Sequence, residues 1–383
     1  MQRKAVIVGG SNGIGMAIGK LLIEKGYTII VVDREDPAKE VYCKADTYEF
    51  YKSDLRYFDD ELFERLANDE QVNVLVITAG IGRVSNFEQL HISEIEKTVK
   101  INLESTLKVI SIFYNKICLR DKFYTGVMVS IAGLLSSPMF SVYAASKAAV
   151  ARFIESVNIE LEVKKTSNRI LNISPGAIQG SKFNGGENVL SKMENLAEGI
   201  IENLFQGKDL YIPDYENVYR DVLERYNKNP QEFGLQSYKY KQESGRNNHS
   251  RKVQIGYLSG TFDLFHVGHL NLLMKAKEQC DYLIVGVHSD GKWKNKETFI
   301  SLEERKKIVA ACRYVDKVVD SCQEDSDAWE LWHYTKLFVG SDYKGTERFE
   351  RYEKILGEKG VEIVYFPYTQ GISSTEIREM IKG

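Results

Sequence analysis

The ten residues Gly260–His269, GTFDLFHVGH, constrain this chain more than any other stretch. They follow an apolar run, Val253–Leu258, that predicts a buried strand, and they lead into Leu270–Ala276, which reads as the first turns of a helix. His266 and His269 are three apart, so at a helix start they project from one face. Two imidazoles beside a helix N-terminus suit a phosphate that gains negative charge during a reaction. Zinc would need a third ligand close by, and none is present, so no metal is assigned.

The residues after this turn alternate between strand and helix patterns. Strands are predicted at 253–258, 282–287, 316–319, 336–340 and 362–366, and helices at 268–279, 302–312, 326–333, 346–358 and 374–382. That is a doubly wound α/β pattern. Three further segments follow the histidines in order. Lys294 and Lys296 precede SLEERK with its Arg305, then comes GSDYKG at 340–345 with Asp342, then TQGISST at 369–375. Together these segments resemble the nucleotidyltransferase superfamily, whose signature is HxGH, and most of all its glycerol-3-phosphate cytidylyltransferase branch, across 253–383.

The resemblance implies that a substrate phosphate attacks the α-phosphorus of CTP, held with Mg2+, and that pyrophosphate leaves. His266 and His269 would stabilise the transition state, with Lys294 and Lys296 on phosphate groups. The nucleotide would be bound by Gly260, Thr261, Phe262, the two histidines, Arg305, Asp342, Gly371, Ser373, Ser374 and Thr375, the last three as an anion site before a helix. The chain departs from that branch at Tyr368, where the branch has arginine, and at Tyr343, where it has tryptophan.

Residues 1–252 need their own account. Lys4–Val8 reads as a short strand, followed by Gly9-Gly10-Ser11-Asn12-Gly13-Ile14-Gly15 and a helical pattern to Leu22. A glycine turn between strand and helix lets backbone N–H groups approach a pyrophosphate. A second strand, Tyr27–Val32, ends in Asp33, an acid placed to bond adenosine ribose hydroxyls.

The G-x-x-x-G-x-G spacing is similar to that of the short-chain dehydrogenase/reductase family, and further positions agree with it. Asp54, Ala79 and Gly80, Asn102, and the Ser130, Tyr143 and Lys147 set lie in the family's order, with the serine 13 residues before the tyrosine. Pro175-Gly176 follows a strand at Ile170–Ile173. The resemblance implies NAD(H) or NADP(H) bound by Gly9, Ser11, Asn12, Gly13, Ile14, Gly15, Asp33, Arg34, Asp54, Ala79, Gly80, Pro175, Gly176 and Ile178.

Tyr143 and Lys147, four apart, share a helix face. In the family's chemistry the lysine lowers the tyrosine pKa, Tyr143 exchanges a proton with the carbonyl oxygen, Ser130 bonds that oxygen, and Asn102 holds a water. Asp33 favours NAD(H), whereas Arg34 could pair with a 2′-phosphate. Where the family often has threonine after the PG turn, this chain has Gly180 and then Ser181.

Length and composition fit this division. A chain of 383 residues exceeds what one core serves. The expected architecture is two Rossmann-like, doubly wound parallel sheets in tandem: 1–235, a polar linker at 236–252, and 253–383. A net charge of −3 argues against bulk nucleic-acid binding. No apolar run approaches the ~20 residues of a membrane span, and cysteines without framework spacing read as reduced thiols of a cytoplasmic protein.

A molecule that serves both halves is a polyol phosphate. The chain therefore resembles a bifunctional CDP-polyol synthase acting on a small-molecule sugar phosphate, a pentulose 5-phosphate first, with glycerol and mannitol versions as alternatives. A dinucleotide sensor regulating the second half and an adenylyltransferase are the readings from other classes. A homo-oligomer is the family default.

Overall fold

In a computed structural model the chain divides into two compact units, Met1–Ser250 and Arg251–Gly383. The structure describes residues 3–37, 42, 47–119, 121–181, 183, 187–244, 253–289, 298–367 and 377.

The first unit is built on β1 (Arg3–Val8), β2 (Tyr27–Asp33), β3 (Tyr48–Lys52), β4 (Val72–Ile77), β5 (Tyr124–Met128), β6 (Ile170–Ile173) and β7 (Leu210–Tyr211). They lie in the order β3-β2-β1-β4-β5-β6-β7, and every pairing is parallel. A parallel sheet is covered on both faces, so its strands are apolar at consecutive positions. In β1, Ala5 and Ile7 face one core, while Val6 and Val8 face the other. Helices α1 (Gly13–Glu24) and α6 (Glu194–Phe205) fill the first face through Met16, Ile18, Leu22, Ile200 and Leu204. On the opposite face lie α2 (Asp60–Asn68), α4 (Ser105–Ile117) and α5 (Ser141–Val163); a shorter α3 (Ile92–Val99) precedes α4.

Two helices end the unit, α7 (Arg220–Lys228) and α8 (Pro230–Glu243). The second corrects the expected linker, because residues 236–243 are helical. Asn229 caps α8 by accepting the Glu232 N–H at 3.1 Å, and Pro230 sits in the first turn, where its missing N–H costs nothing. The helix is docked by polar contacts: Tyr238 Oη lies 3.3 Å from Asn86 Oδ1, and Lys241 Nζ donates to Ser137 Oγ at 2.6 Å and to the Pro138 carbonyl at 2.8 Å.

The second unit contains β8 (Ile255–Gly260), β9 (Tyr282–Val287), β10 (Lys317–Asp320), β11 (Lys336–Gly340) and β12 (Glu362–Phe366), parallel, in the order β10-β9-β8-β11-β12. Helices α9 (Val267–Glu278) and α10 (Leu302–Ala310) cover one face with Leu273, Ala276 and Val309. Helices α11 (Asp325–Trp332) and α12 (Glu347–Glu358) cover the other with Ala328, Phe349, Tyr352 and Leu356. The helix expected at 374–382 lies, apart from Ile377, outside the described residues. Among the described residues no helix is long and apolar enough to cross a membrane.

Strand order reverses between β1 and β4 in one sheet and between β8 and β11 in the other. Ligands of open α/β sheets bind outside the carboxyl ends of the strands at that switch point. Gly9 and Ala79 mark it in the first unit, and Gly260 marks it in the second.

Candidate active sites

At the first switch point the chain makes a cradle with no room for side chains. Gly9 has φ 91°, and a Cβ there would lie 2.5 Å from the Ala79 nitrogen. On Gly15 a Cβ would lie 2.3 Å from the Gly9 carbonyl oxygen. Thr78 clamps the turn by donating to the Gly9 carbonyl at 2.9 Å. Helix α1 starts here with no acidic residue in its first turn and no capping bond from the Asn12 side chain. Ser11 is 1% exposed, yet among the described residues its hydroxyl has no partner. A helix N-terminus without an acidic residue or a cap from Asn12, a backbone cradle and an orphaned hydroxyl fit the phosphates and ribose of a dinucleotide.

The acid at the end of β2 is fixed for the same ligand. Asp33 accepts the Ser11 N–H at 3.0 Å and the Arg34 N–H at 2.7 Å. The Arg34 side chain instead turns to Glu35 at 3.1 Å and is exposed. Asp54 differs from expectation, because Arg56 already engages both of its oxygens, the closest contact being 2.6 Å. Burial alone would raise the Asp54 pKa, but the Arg56 guanidinium and N–H outweigh it and hold the carboxyl below its usual range. Sequence reasoning missed Asn188, whose Oδ1 accepts the Gly13 N–H at 2.9 Å from a distant segment. Gly180 adopts φ 74°, and Ser181 Oγ donates to the Ile178 carbonyl at 3.1 Å.

The catalytic candidates converge beside this cradle. Ser130 follows β5, while Tyr143 and Lys147 lie in the first two turns of α5, both buried. Ser130, whose Oγ accepts the Ala132 N–H at 3.2 Å, is close enough to the Tyr143 hydroxyl to favour its ionised form. Lys147 Nζ lies 5.7 Å from the tyrosine ring and donates to the Met128 carbonyl at 2.7 Å. Pro175 orients the serine loop by accepting the Ile131 N–H at 2.9 Å. Gly176 is held to glycine by Tyr219, whose hydroxyl would lie 1.5 Å from a Cβ there.

Burial pushes Tyr143 up to about 12, with Ser130 pulling the other way, and pushes Lys147 down to about 8. Burial, and not the lysine, sets the direction of the tyrosine's shift in this structure. A protonated tyrosine is the form that donates to a carbonyl oxygen, so the shift suits the reductive direction.

Asn102 lies in a π-helical turn, Lys100–Glu104, between α3 and α4. Its amide exchanges hydrogen bonds of 2.8 Å with the Ile81 N–H and carbonyl and reaches Ser146 Oγ at 3.1 Å. The side chain is therefore a bracket between the turn after β4 and α5.

In the second unit, His266 is the N-cap of α9 and His269 its third residue. His266 Nδ1 accepts the Gly268 N–H at 3.1 Å, His269 Nδ1 accepts the His266 N–H at 3.3 Å, and the rings lie 4.1 Å apart. Burial, then the neighbouring His266, push the His269 pKa down to about 4 against the pull of Asp263. The loop before them is bent by Phe262 and Leu264, at φ 53° and 47°, a region non-glycine residues adopt only when their surroundings enforce it. Asp263, 2% exposed and overlooked in the sequence, enforces part of it by accepting the Phe299 and Ile300 N–H groups at 3.1 and 3.0 Å.

Arg305 is a correction. It is fully buried, and its guanidinium donates to the carbonyls of Thr261, His288, Ser289 and Ile300. It shapes the nucleotide loop from behind rather than facing a ligand. Gly260 ends β8 and accepts the His288 N–H at 2.9 Å. Asp342 is exposed just beyond β11. Lys294, Lys296, Gly371, Ser373, Ser374 and Thr375 lie outside the described residues.

The strand order, glycine cradle and Ser-Tyr-Lys cluster define a dinucleotide-dependent oxidoreductase unit, and the histidine-capped helix at the second switch point defines a nucleotidyltransferase unit. The chain joins a member of the short chain dehydrogenase family, matched over residues 3–188, to a cytidylyltransferase-like domain, matched over 257–380.

Named relatives agree. A glycerol-3-phosphate cytidylyltransferase of Bacillus subtilis is 38% identical over 128 residues, covering 32% of this chain and 94% of the relative. An uncharacterized oxidoreductase of Staphylococcus epidermidis is 25% identical over 234 residues, 57% of this chain and 94% of the relative. A short-chain dehydrogenase from Sphingobium yanoikuyae, solved in complex with NADPH, shares the fold with a TM-score of 0.51 at 19% identity, covering 59% of this chain and 93% of its own. Both domains are therefore of enzymatic families.

Proposed function

We propose that the chain is a bifunctional CDP-polyol synthase. The first unit reduces a sugar phosphate, a pentulose 5-phosphate before others, to a polyol phosphate with NADH or NADPH. The second couples that product to CTP in the presence of Mg2+, giving a CDP-alditol of the ribitol or arabinitol type and pyrophosphate, for capsule or teichoic-acid-like polymers. One observation carries this reading: a Ser130, Tyr143 and Lys147 set, with the tyrosine and lysine buried, shares a chain with a domain similar to glycerol-3-phosphate cytidylyltransferases. A polyol phosphate is at once a product of carbonyl reduction and an acceptor for cytidylyl transfer. The names of those relatives support one second reading, in which the alditol is glycerol.

Bound in the glycine cradle, a reduced nicotinamide supplies hydride. Ser130 and Tyr143 hold the carbonyl oxygen, and Tyr143 gives it a proton. Lys147 positions the tyrosine and the coenzyme ribose. In the second unit a phosphate oxygen of the polyol phosphate attacks the α-phosphorus of CTP, and the bond to pyrophosphate breaks. His266 and His269 donate to the α-phosphate as its charge grows, at the N-terminus of α9. Lys294, Lys296, Gly371, Ser373, Ser374, Thr375 and Asp342 complete the proposed nucleotide site.

The test is to incubate the protein with CTP, Mg2+, either coenzyme and a panel of sugar phosphates, following coenzyme oxidation and pyrophosphate release together. A substrate that drives both is expected. If no sugar phosphate that oxidises coenzyme also leads to pyrophosphate, the joint reading fails.

A further inference from the structure

Residues 80–82 lie against the catalytic lysine and tyrosine, and the strip they open runs on to residue 86. A Cβ on Gly80 would lie 3.3 Å from Lys147 Nζ, and the Ile81 backbone is held by Asn102. A Cβ on Gly82 would lie 2.6 Å from Tyr143 Cδ2. Further on, the Ser85 N–H donates to the Met139 carbonyl at 2.7 Å, one residue before Phe140, whose ring stacks on Tyr143 at 4.2 Å. Arg83 stands in the middle of this strip, and no step described above uses it.

The guanidinium of Arg83 is held from one side. Its Nη1 donates to both Glu94 oxygens, at 2.8 and 2.9 Å. Glu94 is itself anchored, because it accepts the His91 N–H at 3.0 Å in the capping box of α3. Nε of Arg83, by contrast, is buried with no hydrogen-bond partner among the described residues. The Arg83 side chain is 24% exposed, so the cation is half-buried, but a buried N–H left unmatched on it still calls for an acceptor. The Nε side of a guanidinium is one arm of the planar fork that matches two oxygens of a phosphate, and a carboxylate on the other side fixes its plane.

The geometry points to Arg83 as the recognition site for the phosphate group of the carbonyl substrate, on the wall that carries Gly82 against the catalytic tyrosine. This rests on the reading that the first unit reduces a phosphorylated sugar. Arg83 then selects phosphorylated over free ketoses, so that what leaves the reductase already carries the phosphate the transferase needs.

The experiment measures kcat/KM of the full chain with ribulose 5-phosphate against ribulose, and fructose 6-phosphate against fructose, at saturating NADPH, for wild type, Arg83→Gln and Arg83→Lys. The wild type should prefer the phosphorylated member of a pair. Arg83→Gln should cut that preference on the order of 10²-fold, chiefly through KM, as loss of a charge-assisted fork does. Arg83→Lys keeps the charge without the fork and should fall in between; it gives the same reading if the glutamine variant does not fold. A preference that stays at the wild-type level in a folded variant overturns the assignment of Arg83 alone. A wild type that reduces free carbonyls but no sugar phosphate overturns the proposed function as well.

Discussion

Because His269 Nδ1 accepts the His266 N–H, the proton of the neutral ring sits on Nε2, which can donate to a phosphate oxygen. Burial and His266 keep the ring neutral by holding its pKa at about 4 in the folded protein, whereas an unfolded chain titrates near the usual ~6.5. The folded-state pKa is depressed, so below ~6.5 the unfolded chain binds the proton more readily. Stability from this group is fully present above pH ~6.5 and is lost as pH falls from there toward 4. Urea midpoints measured across that window should slope downward with acid, and His269→Asn should flatten the slope. An identical slope in the variant would show that His269 is not the titrating group. Transferase turnover should likewise show no ionisation of His269 between pH 6.5 and 8.

At the scale of elements, Arg305 joins the ends of β8 and β9 to the start of α10 through four carbonyls. Arg305→Met keeps much of the volume but leaves those acceptors without their donors, at a cost on the order of 3 kcal/mol. The urea midpoint of the transferase transition should fall together with cytidylyl transfer. A variant of unchanged stability but weaker CTP binding would restore Arg305 to direct nucleotide contact.

The same residue shows what was legible in the sequence. Its place in SLEERK was readable from the motif, but its direction was not, since that depends on carbonyls 16 to 44 residues away. Strands such as β6, β9, β11 and β12 were readable because each holds a short run of largely apolar residues, as strands of a parallel sheet do. The Ser130, Tyr143 and Lys147 cluster was readable because two of its members share one helix face. Helix α8 was missed although Asn229-Pro230 is a helix-start signal. It docks through Tyr238 and Lys241 rather than an apolar stripe, so its composition resembled a linker. Asn188 and Asp263 carried no local signal at all, because their partners are fixed only by tertiary folding.

For the whole molecule, the proposed activities should be separable and should meet through one intermediate. Tyr143→Phe removes only the phenolic hydroxyl, so the aromatic stack on Phe140 and the packing against Gly82 are retained. Loss of a general acid should lower carbonyl reduction by about 10²- to 10⁴-fold. Cytidylyl transfer to a supplied polyol phosphate should persist, since the histidine turn belongs to the other compact unit. His269→Ala should do the reverse. With one transition-state donor gone, transfer should fall by about 10²- to 10³-fold, while coenzyme is still oxidised and polyol phosphate accumulates. A mixture of the two variants, given sugar phosphate, CTP and NADPH, should form the CDP-alditol by diffusion of the polyol phosphate, and mass spectrometry of each variant and of the mixture reads the outcome. A mixture that makes no product, although each variant keeps its remaining activity, would mean that the intermediate does not pass through solution. If Tyr143→Phe also stops transfer to a supplied acceptor, the two sites are coupled and the activities are not separable.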